Sequence, residues 1–302
     1  MTRINRPFLP ALLWVAFSSI AIAAEKKSQP VPSGKHLLQY KFQLGEVLRY
    51  SVKHATNVRT TIDTTTQQVE SQSDSVKAWK VTDVLPSGEM EFIHLVERAR
   101  MSNQTPGKPA NVYDSSTDQE PPRGFEQAAR SIGVPLTLCR IAADGEVTFR
   151  EEKQPVPDTT PDMPITLRLP KEPVAVGEKW NHPYEIMVDR KSGTKQQIRT
   201  RRLCKLQQVK NGVAVIDVEY QILTPVDAYA RSQLVERLTE GTVRFDVKRG
   251  RIVEQEHNVD KRVLGFAGKA SSMHFVSRLR EELLKSDEGL AKVQPASATS
   301  SK

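Results

Sequence analysis

Six histidines, two cysteines and a few regularly placed acids are the residues of this 302-residue chain whose types suit catalysis or metal binding. The histidines are His36, His54, His94, His182, His257 and His274. No two lie within four positions of each other, so the spacing that turns two imidazoles toward one zinc ion from a helix face does not occur. His94 falls in a strand pattern and His274 beside an apolar stripe, and both read as structural histidines. Ser192 and Lys195 have the Ser-x-x-Lys spacing of one class of acyl-transfer nucleophile. They flank Gly193 directly after Arg190-Lys191, however, and read as a hairpin tip. Glu46 and Glu178 each follow a glycine. Paired carboxylates can divide acid and base work, yet the matching placement of these two points to a repeated turn. Asp114 and Asp246 follow Tyr113 and Phe245 and read as strand-edge features. No GxSxG elbow and no glycine-rich phosphate loop is present. The sequence designates no catalytic, cofactor-binding or metal-ligating residue, and no cofactor.

Cys139 stands among Leu136, Leu138 and Ile141, and Cys204 among Leu203 and Leu206. With no CxxC spacing, a redox or metal pair is disfavoured, and one disulfide or two separately buried thiols remain open. The densest positive run, Arg190 to Lys210, carries no aromatic residue. Single-stranded nucleic-acid grooves interleave aromatics for stacking, so a solvated sheet face is the expectation. Weak contact with an anionic polymer or membrane surface is the alternative, and nucleic acid is not expected as a partner. Asn103-Gln104-Thr105 is a formal glycosylation sequon. The chain is 38% hydrophobic and 26% charged, with a net charge of +8. That composition excludes a polytopic membrane protein, a collagen-like fibre and a wholly disordered chain.

The elements that would position these residues begin with an export signal. Arg3 and Arg6 precede an apolar run from Pro7 to Ala24, and Ala21-Ile22-Ala23 supplies a small-residue exit, so residues 1–23 read as a signal peptide cleaved after Ala23. Its removal takes away two arginines and no acid, leaves no transmembrane segment, and makes the protein periplasmic or secreted. Residues 24–36, with Pro30, Pro32 and Gly34, read as a flexible leader. Residues 37–154 form an N-terminal β-rich half. Residues 155–166, crowded with Pro155, Pro157, Pro161 and Pro164, form a linker. Residues 167–286 form a second β-rich half with a terminal helix, and residues 287–302 a disordered tail.

Within the halves, apolar residues alternate as in half-buried strands. Leu48, Tyr50 and Val52 follow Leu44-Gly45-Glu46. Ala214, Ile216, Val218, Tyr220 and Ile222 follow Asn211-Gly212, a dipeptide suited to a tight hairpin. Glycines at 45, 88 and 145 in one half match 177, 212 and 250 in the other, which suggests an internal repeat. Phe125, Ala128, Ala129 and Ile132 fit a short helix. Met273, Val276, Leu279, Leu283 and Leu284 fit a longer one, with Ser271 or Ser272 as cap. The stretch from Val226 to Leu238 tolerates a helical phase but shows no obvious cap. The expected fold is mainly β: antiparallel sheets from two related halves, forming a curved sheet or two small barrels, with the C-terminal helix as cover.

Five short motifs carry a resemblance: Leu44-Gly45-Glu46 with Tyr50; Trp79-Lys80-Val81 before Ser87-Gly88; Tyr113-Asp114-Ser115; Gly177-Glu178-Lys179-Trp180; and Phe245-Asp246 before Gly250-Arg251. Together, over roughly residues 38–285, the chain resembles a family of uncharacterised exported bacterial proteins common in planctomycete-type genomes. The family has no assigned activity, so the resemblance implies an envelope protein and transfers no site residue. The functional expectation is an exported protein that binds an apolar or amphipathic ligand, or an envelope protein partner, without catalysis. A structural envelope role is the alternative, and an envelope hydrolase stands behind it.

Overall fold

The computed structural model describes residues 34–154 and 165–285, which belong to one compact unit spanning residues 31–302. The proposed signal peptide, most of the leader, most of the proline-rich linker and the C-terminal tail lie outside the described residues.

The first half runs through β1 (Lys35–His36), β2 (Val47–Ile62), β3 (Thr65–Val84), β4 (Met90–Gln104), β5 (Asn111–Asp114), α1 (Glu126–Arg130), β6 (Pro135–Ile141) and β7 (Val147–Glu152). The second runs through β8 (Val174–Ala175), β9 (Lys179–Asp189), β10 (Lys195–Lys210), β11 (Val213–Ile222), α2 (Ala228–Leu234), a 3₁₀ turn (Val235–Arg237), β12 (Glu240–Asp246), β13 (Arg251–Leu264) and β14 (Ser271–Leu283). Tight turns set the registers. Asn211 and Gly212 both have positive φ, at 52° and 76°, as a two-residue hairpin requires.

Twelve strands form a single antiparallel sheet in the order β7-β6-β4-β3-β2-β14-β13-β12-β11-β10-β9, with β5 pairing β4, and β1 and β8 form a separate two-stranded ribbon. Each half is a meander, and the two join where β2 pairs β14 from Tyr50–Leu283 to Ile62–Ser271. The halves also repeat one turn. Gly45 N–H donates to Val81 O and Val81 N–H to Glu46 O, while Gly177 N–H donates to Leu206 O and Leu206 N–H to Glu178 O. In both turns the glutamate carboxylate accepts from the backbone three residues back, at Gln43 (3.2 Å) and Ala175 (3.1 Å).

This architecture corrects the expected fold. The sheet has two free ends, β7 and β9, so neither one barrel nor two barrels close, and the strand order gives one open sheet in place of the anticipated curved sheet or barrels. The C-terminal covering helix does not exist either: residues 271–283 are β14, in the middle of the sheet. The misreading has a physical origin. Met273, Phe275, Ser277, Leu279, Glu281 and Leu283 alternate along one face of β14, but Ser277 and Glu281 are polar and buried, which hides the two-residue period. Ser271, taken as a helix cap, instead closes the β13–β14 turn, accepting from Ala267 N–H and donating to Gly268 O. The short helix near Phe125 forms as α1. The stretch around Ala228 forms α2, capped by Asp227, whose carboxylate accepts from Ala230 N–H at 2.8 Å.

One face of the sheet is apolar. Its main cluster joins Tyr50, Trp79 and Phe92 from the first half to Leu206, Ile216 and Phe245 from the second. The segment Leu38–Phe42 bridges them. Tyr40 meets Phe245 edge-on at 5.4 Å, and Phe42 meets Phe92 at 6.1 Å. A second cluster, with Ile186, Ile198 and Tyr220, lies under Ala230 and Leu234 of α2. The opposite face is charged. Lys205, Asp217, Thr242, Glu256, Arg280, Lys53, Asp74, Arg100 and Asp114 sit opposite one another from strand to strand, a row that crosses most of the sheet.

Candidate functional site

Three grooves lie on the charged face. The largest, about 910 Å³, crosses β10 to β14 and is bordered by Lys205, Asp217, Glu219, Glu240, Asn258 and Arg278. The second, about 330 Å³, shares Asn258 and Arg278 with it and continues to Lys53 and Asp74. The third, about 250 Å³, shares Asp74 and reaches Arg100 and Asp114. They are therefore successive parts of one trough along the charged row. Several of its ions are internally matched. Lys261 holds Glu240 at 2.6 Å, and Arg280 lies 3.0 Å from Glu254 and 3.5 Å from Glu256. Lys205 and Arg278 form no ion pair among the described residues.

The apolar face carries a second set of polar groups, buried between its two clusters. Lys77 Nζ donates to both carboxylate oxygens of Glu281, at 2.7 and 2.6 Å, and stands 5.3 and 5.4 Å from the ring centres of Tyr50 and Trp79. Gln255 Nε2 donates to the same carboxylate at 2.6 Å, and its amide oxygen lies 3.3 Å from His257 Nε2. Burial, with the Arg202 charge second, pushes His257 down to about 4. Burial, with the Lys77 charge second, does the same to His94. Both imidazoles are therefore neutral near pH 7. The Lys77–Glu281 pair is compensated charge for charge, which is what a buried ion pair needs to be tolerated.

The residues singled out in the sequence take structural places. Cys139 and Cys204 are buried free thiols, and burial pushes them up to about 11 and about 12, which leaves them unreactive near neutral pH. Ser192 bonds Thr194 within the β9–β10 turn, and Lys195 opens β10. Glu46 pairs with Arg251 and Glu178 with Lys35, so these acids serve their turns and do not converge. Asp114 and Asp246 accept backbone N–H bonds from Ser116 and Arg249. His274 pairs with Asp260 at 2.8 Å on the charged face. Arg199, Arg201 and Lys205 of the basic run also lie on that face.

Sequence reasoning missed Arg202, Lys77 and Glu281. For Arg202 a signal existed: Ile198, Thr200, Cys204 and Leu206 alternate with it along the buried side of β10, so an arginine at position 202 must share that side.

Among the described residues no group of three or more His, Cys, Asp or Glu side chains is placed to hold a metal ion, and no helix is long and apolar enough to cross a membrane. No family model matches the chain, and no curated protein matches it. Among solved structures the chain is similar to one described as lipid-protein interactions in lipovitellin, with 12% identity and a TM-score of 0.46. The likeness covers 81% of this chain and 26% of that one.

Proposed function

We propose that this is an exported envelope protein, periplasmic or secreted, which binds a partner protein on its charged face and transforms no substrate. The signal-like residues 1–23 support export. The observation that carries the binding reading is the trough, whose three grooves follow one cross-strand row of mixed charges. A grooved run of both signs suits a polar partner of matching pattern, where electrostatic complementarity sets register and association rate. An apolar ligand is served less well. Its natural seat, the apolar face, is occupied by the chain's own Leu38, Tyr40 and Phe42 and by α2. A hydrolytic site is served less well again, because the most strongly displaced groups are histidines, cysteines and tyrosines held by desolvation, while the displaced carboxylates Glu89, Glu126 and Asp260 are not deeply buried and are held down by separate local hydrogen bonds.

The test is native mass spectrometry of the mature protein purified from its own envelope, beside the double variant Lys205→Glu/Arg278→Glu. A protein partner in fixed stoichiometry, released by salt and absent from the variant, is the expected result. A lipid carried equally by both proteins would overturn the reading in favour of an apolar cargo.

A further inference from the structure

Two arginines reach the buried side of the sheet without an acid to meet them. Arg202 is half-buried on β10, and its Nε is shielded from solvent and has no hydrogen-bond partner. Arg237, in the 3₁₀ turn after α2, is only 6% exposed. Among the described residues neither guanidinium makes an ion pair or a side-chain hydrogen bond. Of their nitrogens only Arg202 Nε is both buried and unpartnered, yet a positive charge held partly out of water without a counter-charge is costly, so two in one region favour an anion.

Both flank the same tyrosine. Arg202 and Tyr220 are register partners on β10 and β11. Tyr220 N–H donates to Thr239 O at 3.0 Å, two residues past Arg237, and the Arg237 charge acts on the Tyr220 hydroxyl. The Tyr220 Oη is buried with no hydrogen bond of good geometry, although the Thr200 and Tyr184 side chains lie beside it. On the other side stands His257, whose Nδ1 is likewise buried and unpartnered, and on which Arg202 is the leading nearby charge. Gly241 lies opposite both His257 and Val218. A Cβ on Gly241 would sit 1.9 Å from Glu256 O and 2.9 Å from His257 Nδ1, so only glycine lets the Glu256–His257 backbone and ring approach this closely. The other charges that bear on His257 are Glu281 and Lys77, which cancel in their own pair. Glu236, the acid next to Arg237, is exposed and bears on His54 instead.

We propose that Arg202 and Arg237, with the Tyr220 hydroxyl, form a binding site for one oxyanion group, a carboxylate or a phosphate, beside the His257 ring. Guanidinium and phenol groups are pure or willing donors, and an oxyanion accepts from several at once. The region holds two unmatched positive charges, and the acid nearest them, Glu236, is exposed, which suits a negatively charged group and rejects a cation or a neutral amide. The site is separate from the trough and does not depend on the partner reading.

The mature chain is titrated at pH 7 and constant ionic strength with sodium acetate, inorganic phosphate and decanoate, while the His257 ring resonances are followed by NMR. The expected result is a saturable shift of His257 with at least one of the three. Affinity should fall about tenfold or more in Arg202→Gln and in Arg237→Gln, be partly restored in Arg202→Lys, and be unchanged in Arg278→Gln on the opposite face. Decanoate saturating far below acetate and phosphate would assign the oxyanion to an apolar-tailed acid. Equal responses would assign it to a small free anion, and either supports the site. No saturable shift with any of the three, or an equal response in folded Arg202→Gln, overturns it. Should Arg202→Gln not fold, Arg237→Gln and the wild-type titration decide the question.

Discussion

The two meanders keep the same order of strands and turns but differ in what is inserted after the third strand. Between β4 and β6 come β5 and α1, which bring Tyr113 and Phe125 into a stacked pair at 5.9 Å and bury no residue of the helix itself. Between β11 and β12 come α2 and the 3₁₀ turn, which bury Ala230, Leu234, Val235 and Arg237. One insertion is an apolar patch on the sheet. The other carries a charge onto it. The repeated frame is thus common to both halves, while the polar groups that need explaining gather in the second.

The strongest way to break the comparison is through the ion pair that spans it, Lys77 of the first half and Glu281 of the second. Glu281→Gln leaves the Lys77 ammonium between Tyr50 and Trp79 without its carboxylate. The cost should be about 3–5 kcal/mol, read as a fall in the urea midpoint. The double change Lys77→Met/Glu281→Leu should recover most of it.

Acid should strain the same region. His94 and His257 ionise in the folded protein near pH 4, against an ordinary value of 6.5. As the pH falls from about 6.5 to about 4, the unfolded chain takes up protons that the folded one refuses, so stability drops across that window and is full above it. The loss should approach about 3 kcal/mol per histidine. Denaturation measured at pH 7 and pH 4.5 checks this, and His94→Gln should shrink the difference without abolishing it, since burial also lowers His54 and His182.

The repeated turns give a graded test. Glu46 and Arg251 are mostly buried, whereas Glu178 and Lys35 are more than 40% exposed. Glu46→Gln should therefore cost about 1.5–3 kcal/mol and Glu178→Gln less than about 1 kcal/mol. Equal losses would show that the carboxylate serves the turn alone and that its cation is incidental. The smallest effect belongs to the insertion of the second half. Asp227→Ala removes the α2 cap and should cost about 1 kcal/mol. α1 has no side-chain cap to lose.

Much of the frame was legible in the residues because turns are written locally. Asn211-Gly212, Ser87-Gly88 and the two Gly-Glu turns announce their own geometry, and Ala214 to Ile222 alternates without interruption. β14 was not legible, since the decisive fact about Glu281 is a lysine 204 positions away. The same holds for Arg202, which reads as one more charge in a basic run until the side it faces is known. The α2 cap, Asp227, stands directly after Val226, inside the stretch that tolerates a helical phase, so its position does not announce a helix start. Pairings between distant strands leave no trace in spacing, and the polar groups of the apolar face rest almost wholly on such pairings.

The position of β14 has a consequence for the order of assembly. Each meander can form from neighbouring hairpins, whose closure over short loops is fast. β2, however, lies early in the chain, and its partner β14 is the last of the strands among the described residues to be synthesised. Until that strand arrives, β2 presents an unpaired edge from Tyr50 to Ile62, and β13 presents another. Long open edges invite pairing with other chains, so the newly made protein is most exposed to self-association in the interval before β14 closes the seam.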